Sequence, residues 1–593
     1  MNTLFMGTTN RKTKDSSLYE SYIGSSSDRV DQSNLQMSEP KLFDRRSRIL
    51  FLLTFVLLLL LAFVQCFRAS HGLHWAYETD FYRDMAFIQG ALDGNYGKDP
   101  NLAGEYLWYN PLLFMVETLT VWLTRLPVND IVWQAGPYLN ILGPIAFFFI
   151  LKRIFNIRIA LASSLSFLFL ASGDIPGWGA ATYSPWLFPV CFNQFLFYIS
   201  VLLCYRAFSR PDLRYFGLLG ISIGISFLGH PAPALILILL MFWIQIGNII
   251  SSVKDKQLSK VGTYCLQGAV TLIPFILASL PLSYYLIGKY HLHILNRYPQ
   301  QMVGSIFILH NFKDLIKANF SISALVSLVG LIWFYKNVKI PLVRKIFFGW
   351  LFICIFMFYY SSLVASLDLR YNIHLPGTVP SFHYFHYLKA LQSVCFGFGF
   401  VYLFQLATRF LRNTQWFHRI FPTLVNASGN AGFAGIILLW ALIYYPTYVS
   451  RPDFRYAFEK ISVREINDDK IRTYQFIVKH IPPGSVILCE EGEPSIFPVM
   501  PTGRKMVSVG ISYSNPYVDF NERETDRNNM ISFLRTGSPD SAKSIFRKYN
   551  VGFVMLSTRR IEKSAPADPK LGKPVFSNSE YTIFPVEPGS NSD

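Results

Sequence analysis

The sequence predicts an α-helical polytopic membrane protein with a C-terminal α/β domain outside the membrane. Three observations carry this. The chain of 593 residues is 51% hydrophobic and 16% aromatic, with mean hydropathy +0.30, and only 15% of it is charged, against roughly a quarter in a soluble domain. Apolar runs long enough to cross a bilayer recur from residue 49 to residue 449. Every second polar segment is basic, and the long first loop on the opposite side is acidic. The formal charge of +17 therefore reads as the Lys/Arg bias of cytoplasmic loops rather than as a nucleic-acid surface. Of seven cysteines only Cys489 lies in the C-terminal region, so that region has no internal disulfide. No CxxC motif or Cys/His cluster has metal-ligand spacing.

Residues 1–47 are poor in apolar side chains and end in the basic "DRRSR", which reads as a disordered cytoplasmic tail. "ILFLLTFVLLLLLAFVQCF" (49–67) is the first span, and no small-residue cleavage site follows it. A long polar loop, 68–133, comes next; within it 111–125 is apolar but carries Glu117 and reads as a helix lying on the membrane surface. Further spans are expected near 134–151, 157–172, 187–207, 214–229, 234–251, 263–287, 321–336, 346–364, 388–408 and 431–449, eleven in all, with those near 157, 214 and 321 short. With a cytoplasmic N-terminus, the cytoplasmic turns "KRIFNIR", "RAFSRPDLR", "KDKQLSK", "KNVKIPLVRK" and the segment with Arg409, Arg412 and Arg419 are all basic. The loop 68–133 is instead acidic, and an odd number of spans puts residues 450–593 outside. In that region "TYQFIVKHI" and "SAKSIFRKYN" read as helices, and "GSVILCEE", "KMVSVGI" and "VGFVMLS" as strands.

The richest chemistry lies in the first outer loop, at "YETDFYRDMAFIQG" (77–90). A helix starting near Thr79 stacks Asp80 and Asp84, four residues apart, with Arg83 close by, while Phe81, Met85 and Ile88 form an apolar stripe. The plainer alternative is that Asp80 caps the helix and Asp84 pairs with Arg83. Downstream, "GKDPNLAGEYLWYNPLLF" supplies Glu105, Trp108 and Tyr109, either as an interfacial aromatic belt or as a platform for a sugar or headgroup.

"TDFYRD", "WYNP" and the layout of the whole chain resemble the GT-C superfamily of integral membrane glycosyltransferases, such as protein O-mannosyltransferases and the lipid A aminoarabinose transferase. The shared features are a long first outer loop with surface-lying helices, an aspartate soon after the first span, and an outward C-terminal domain. The resemblance implies transfer of a sugar from a polyprenyl-phosphate donor to a glycan, lipid or protein acceptor on the extracytoplasmic side. A carboxylate of the first loop would act as base, which suits Asp80 or Asp84. For the donor phosphate the candidates are Lys289 and Arg297 in "GKYHLHILNRYPQQ" and Arg370 and Lys389 in "LDLRYNIHLPGTVPSFHYFHYLKALQ". His383 and His386 belong to the same basic cluster. For the acceptor or sugar they are Glu105, Trp108, Tyr109, Asp174 in "SGDIPGWGAATYSPWLFP" and His230 in "FLGHPAPA". Some superfamily members use an acid in the Asp174 loop for a divalent metal; no DxD pair is present, so no metal ligand is assigned and a divalent cofactor stays open. Gly503 and Arg504 in "EEGEPSIFPVMPTGR" are considered as ligand-facing. The expected location is a bacterial inner membrane, with membrane lipids as further partners and no nucleic acid. Two other activities fit the layout. A transporter or flippase for lipid-linked sugars would carry ionisable residues inside its spans. A polysaccharide polymerase or ligase would carry a large loop between late spans.

Overall fold

The computed structural model describes residues 45–76, 78–170, 182–298, 321–377, 379–413, 429–455, 466–490, 495–536, 542–561, 571 and 573–586. The tail read as disordered lies outside these up to residue 44, as does Asp174.

Every expected span meets a helix. Eight of the described helices are long and apolar enough to cross a membrane by length and composition. They are Arg45–Ser70 (α1), Gly136–Ile154 (α4), Pro189–Ser209 (α6), Pro231–Lys254 (α8), Leu258–Gly288 (α9), Pro341–Tyr371 (α11), the helix from Phe382 (α12) and Asn430–Val449 (α13). The three expected to be short are Ile157–Leu170 (α5), Leu213–Gly229 (α7) and Ile322–Asn337 (α10). Because lipid tails offer no hydrophobic drive between helices, close packing at small residues does that work. A Cβ on Gly330 of α10 would stand 1.8 Å from the carbonyl oxygen of Cys395 on α12, and one on Gly399 would stand 2.0 Å from that of Val326. α7 meets α9 in the same way, at Gly220 against the carbonyl of Thr271, 2.1 Å.

The first outer loop holds Thr79–Leu92 (α2) and Leu112–Thr124 (α3). Glu78, not Asp80, caps α2: its carboxylate accepts from the Asp80 amide at 3.3 Å. α3 buries Leu113, Phe114 and Glu117 but leaves Leu119, Trp122 and Leu123 more than half exposed. An apolar outer face of that kind suits a helix on a bilayer surface.

The C-terminal region forms a five-stranded sheet from Val486–Cys489 (β1), Lys505–Met506 (β2), Val551–Ser557 (β3), Phe576–Ser577 (β4) and Tyr581–Pro585 (β5), in the order β2-β1-β3-β5-β4. β1 runs parallel to β2 and β3, while β5 runs antiparallel to β3 and β4. Helices Asp468–His480 (α14) and Ala542–Tyr549 (α16) are those expected; Phe520–Thr536 (α15) was not, and of "KMVSVGI" only Lys505 and Met506 are strand. The first outer loop joins this sheet at its edge. The Met506 amide donates to the Asn101 carbonyl (2.6 Å) and the Ala103 amide to that of Met506 (3.0 Å). One apolar core runs through both, with Phe81, Tyr82 and Met85 of α2 packed among Ile477, Phe497, Met500 and Ile583.

Gly503 and Arg504 are the centre of this junction rather than ligand-facing residues, which corrects the expectation for "TGR". Gly503 adopts φ +65°, and a Cβ there would stand 3.1 Å from the Ala86 carbonyl oxygen and the Gly90 amide nitrogen of α2. Arg504 is 2% exposed. It donates to Asp93 Oδ2 (2.7 Å) and to the carbonyls of Ile481 (2.9 Å), Thr502 (3.1 Å) and Val478 (3.1 Å). A buried guanidinium needs acceptors for its donors, and these supply them.

Candidate active site

The stripe of Phe81, Met85 and Ile88 that buries α2 also sets the direction of its charged face. Arg83 is the hub of that face. Its Nη1 donates to Asp80 Oδ1 at 2.8 Å, while Nε and Nη2 donate to Asp84 Oδ1 at 3.1 and 3.0 Å. Nη2 also donates to the Tyr109 hydroxyl at 2.8 Å, with the guanidinium carbon 4.0 Å from that ring's centroid. Burial alone would weaken the Arg83 charge; Asp84, then Tyr109 and Asp80, hold it and push it upward.

The two aspartates thus share one partner but differ in setting. Asp80 keeps 36% of its side chain exposed, and its Oδ2 makes no hydrogen bond among the described residues. Tyr513 of the C-terminal region lies beside it and takes a hydrogen bond from Thr79 Oγ1. Asp84 is 3% exposed, and its Oδ2 is buried with no hydrogen-bond partner. Burial, opposed by Arg83, pushes the Asp84 carboxyl up to about 6. Glu117 of α3, 1% exposed, is pushed up as well, by burial first and then by the charge of Asp84.

The raised Asp84 value has a measurable sign. Between about pH 4, where an unfolded aspartate titrates, and about 6, the folded chain keeps a proton that the unfolded chain has released. Stability therefore falls as pH rises through this window, and this group adds no further change above it. Asp84→Asn is expected to remove that decline, seen as a flatter plot of melting midpoint against pH in detergent. The same slope in both proteins would count against the assignment.

The remaining candidates fall into three groups. Trp108 and Tyr109 stay with α2, Tyr109 stacked on Phe87 and Trp108 meeting it edge to face. Glu105 and Lys289 face the junction with the C-terminal region: Glu105 Oε1 pairs with Arg523 Nη2 at 2.5 Å, and Lys289 Nζ lies 5.0 Å from the centre of the Tyr106 ring. Arg297 lies 3.5 Å from Asp368, which also meets His374 at 2.5 Å, on the wall of an open cavity of 340 Å³. Arg370 is exposed at the end of α11. Lys389 is 4% exposed on the first turns of α12, 5.1 Å from the Phe385 ring centre. His230 caps α8 through its Nδ1 and packs at a tilt against His383, which is within electrostatic reach of Asp80. Three contributors escaped the sequence: Tyr513, more than four hundred residues from Asp80 and without any motif; Arg83 as a shared hub; and Glu117, whose one signal was an acid inside an apolar run. Among the described residues no three His, Cys, Asp or Glu stand together so as to hold a metal ion.

No family model and no curated protein matches the sequence. Solved structures do. ArnT from Cupriavidus metallidurans bound to undecaprenyl phosphate aligns over 90% of this chain and 98% of its own, at TM-score 0.51 and 11% identity. The oligosaccharyltransferase of Archaeoglobus fulgidus tethered with an acceptor peptide aligns over 86% and 69%, at 0.49 and 13%. The arabinofuranosyltransferase AftD from Mycobacteria aligns over 91% and 40%, at 0.44 and 13%. At these identities the likeness is one of fold, carried by the first: the chain shares the fold of that ArnT.

Proposed function

We propose that this chain of GT-C fold is a membrane glycosyltransferase that moves a sugar from a polyprenyl-phosphate donor to an acceptor hydroxyl on the extracytoplasmic side. The observation that carries the reading is Asp80: a partly exposed carboxylate in the first turn of α2, with Oδ1 held by Arg83 and Oδ2 open. In the step, Asp80 takes the acceptor hydroxyl's proton as that oxygen bonds to the anomeric carbon. The bond from that carbon to the phosphate oxygen breaks, and polyprenyl phosphate leaves. Asp84 and Tyr109 orient Arg83, and through it Asp80. In the 340 Å³ cavity lined by His293, Arg297, Asp368 and His374, Arg297 is the contact for the carrier phosphate, which would replace Asp368 as its partner. The basic turns argue for the sidedness.

The test is the full chain in proteoliposomes with a panel of polyprenyl-phosphate sugars and membrane extract as the source of acceptor. Release of polyprenyl phosphate with at least one sugar is expected. Movement of the lipid-linked sugar between leaflets with no release would make the protein a transporter.

A further inference from the structure

The clearest arrangement within electrostatic reach of Asp80 that has no role as a pair is two imidazoles from two different elements. His230 joins α7 to α8, and His383 lies in the first turn of α12. Their ring centroids are 4.5 Å apart at 32°. Each ring has its Nδ1 committed to backbone, but in opposite senses. The Ala232 amide donates to His230 Nδ1 at 3.2 Å, so that nitrogen is an acceptor and carries no proton. His383 Nδ1 lies 3.0 Å from the Pro380 carbonyl oxygen, which only accepts, so that nitrogen is N–H. In a neutral imidazole the bond made by one nitrogen decides the state of the other. His230 therefore presents Nε2–H as a donor, and His383 presents a bare Nε2 as an acceptor. Tilted at 32° with centroids 4.5 Å apart, the rings do not satisfy each other.

The surroundings are built for a polar ligand. His383 is half-buried and His230 is 8% exposed. One turn further along α12, His386 is fully buried with neither ring nitrogen hydrogen-bonded. The group that matches one donor and one acceptor side by side is a hydroxyl, which donates and accepts at a single oxygen. A carboxylate fits only the donor, and an ammonium only the acceptor. We propose that His230 and His383 form a hydroxyl-reading pair that grips one sugar hydroxyl on the Asp80 side of the chain and so selects the sugar's configuration. The assignment of that hydroxyl to a transferred sugar rests on the transferase reading; the donor–acceptor pair itself does not.

Two variants separate the chemistry from the packing. His383→Phe keeps a ring in the stack and removes the acceptor. His230→Asn keeps a side-chain acceptor for the helix cap and removes the ring donor. The full chain, labelled with 15N-histidine and held in nanodiscs, is expected to show His383 as the Nδ1–H tautomer and His230 as the Nε2–H tautomer. Methyl glycosides are expected to move both Nε2 signals, with a deoxy analogue lacking the gripped hydroxyl moving neither. In transfer assays each variant is expected to raise KM for the donor about tenfold with a smaller effect on kcat, as loss of one hydrogen bond in a recessed site implies. Reversed tautomers, signals that no glycoside moves, or an unchanged KM in both variants would each overturn the pair. Correct tautomers and glycoside shifts in a protein that releases no polyprenyl phosphate would overturn the transferase reading and leave the hydroxyl site standing.

Discussion

Asp80→Asn is expected to lower sugar transfer by roughly 10²–10⁴-fold, the usual contribution of a positioned general base, while leaving the protein folded. Asparagine has the same shape, and its carbonyl oxygen can still accept from Arg83 Nη1, now 2.8 Å from Asp80 Oδ1. What it cannot do is take the acceptor's proton. Asp80→Glu keeps the carboxylate but pushes it out by one methylene, so partial activity is expected. Asp84→Asn is expected to cost less, near tenfold, because Asp84 acts through Arg83 and its own carboxylate is buried. The measurements are initial rates of polyprenyl phosphate release by each variant, alongside melting midpoints. Activity of Asp80→Asn within tenfold of the parent would refute Asp80 as the base. A deeper loss in Asp84→Asn than in Asp80→Asn would exchange their roles.

The order of helices was legible because the length of the apolar runs dictates it. Apolar runs of bilayer length have few other uses, and the three runs expected to be short are the three helices of 14, 17 and 16 residues. The start of α2 at Thr79 was legible too, since Asp, Arg and Asp between apolar residues at helical spacing mark one polar face. Its details were not. Both Glu78 and Asp80 suit a helix N-terminus, and only the fold decides that Glu78 is the cap while Asp80 goes to Arg83. Helix α15, "FNERETDRNNMISFLRT", carries few apolar residues, and its buried Arg523 and Arg527 gain their place by reaching carbonyls of Val507 and Glu490. No periodicity announces that. Contacts across the chain, such as Thr79 to Tyr513 or Ala103 to Met506, leave no local mark. They explain why Glu105, read as a sugar contact, sits against Arg523: a loop docked on a sheet edge spends its charges on docking.

That docking leads to the largest expected effect on stability. Arg504→Leu is expected to destabilise the protein by about 3–5 kcal/mol, the usual cost of removing one partner of a buried ion pair. The change strands Asp93 Oδ2 and the carbonyls of Ile481, Thr502 and Val478, all of which now accept from the guanidinium. Leucine fills some of the volume but offers no donor. Arg504→Lys keeps the charge, yet a single ammonium cannot reach four acceptors spread around a planar fork, so only partial rescue is expected. The consequence for function follows from position. Arg504 ties the sheet to Asp93, the residue that ends α2, and its neighbour Gly503 lies against the backbone of the same helix. Loosening this contact lets α2 move, and with it Arg83 and Asp80. Arg504→Leu is therefore expected to lower kcat as well as the melting midpoint, even though Arg504 touches no proposed substrate. An Asp93→Asn, Arg504→Leu double variant tests the source of the loss. Neutralising Asp93 removes the stranded charge, so the double variant should be less damaged than the sum of the two single changes. Strict additivity, or a melting midpoint unchanged in Arg504→Leu, would show that the clasp does not hold α2 in place.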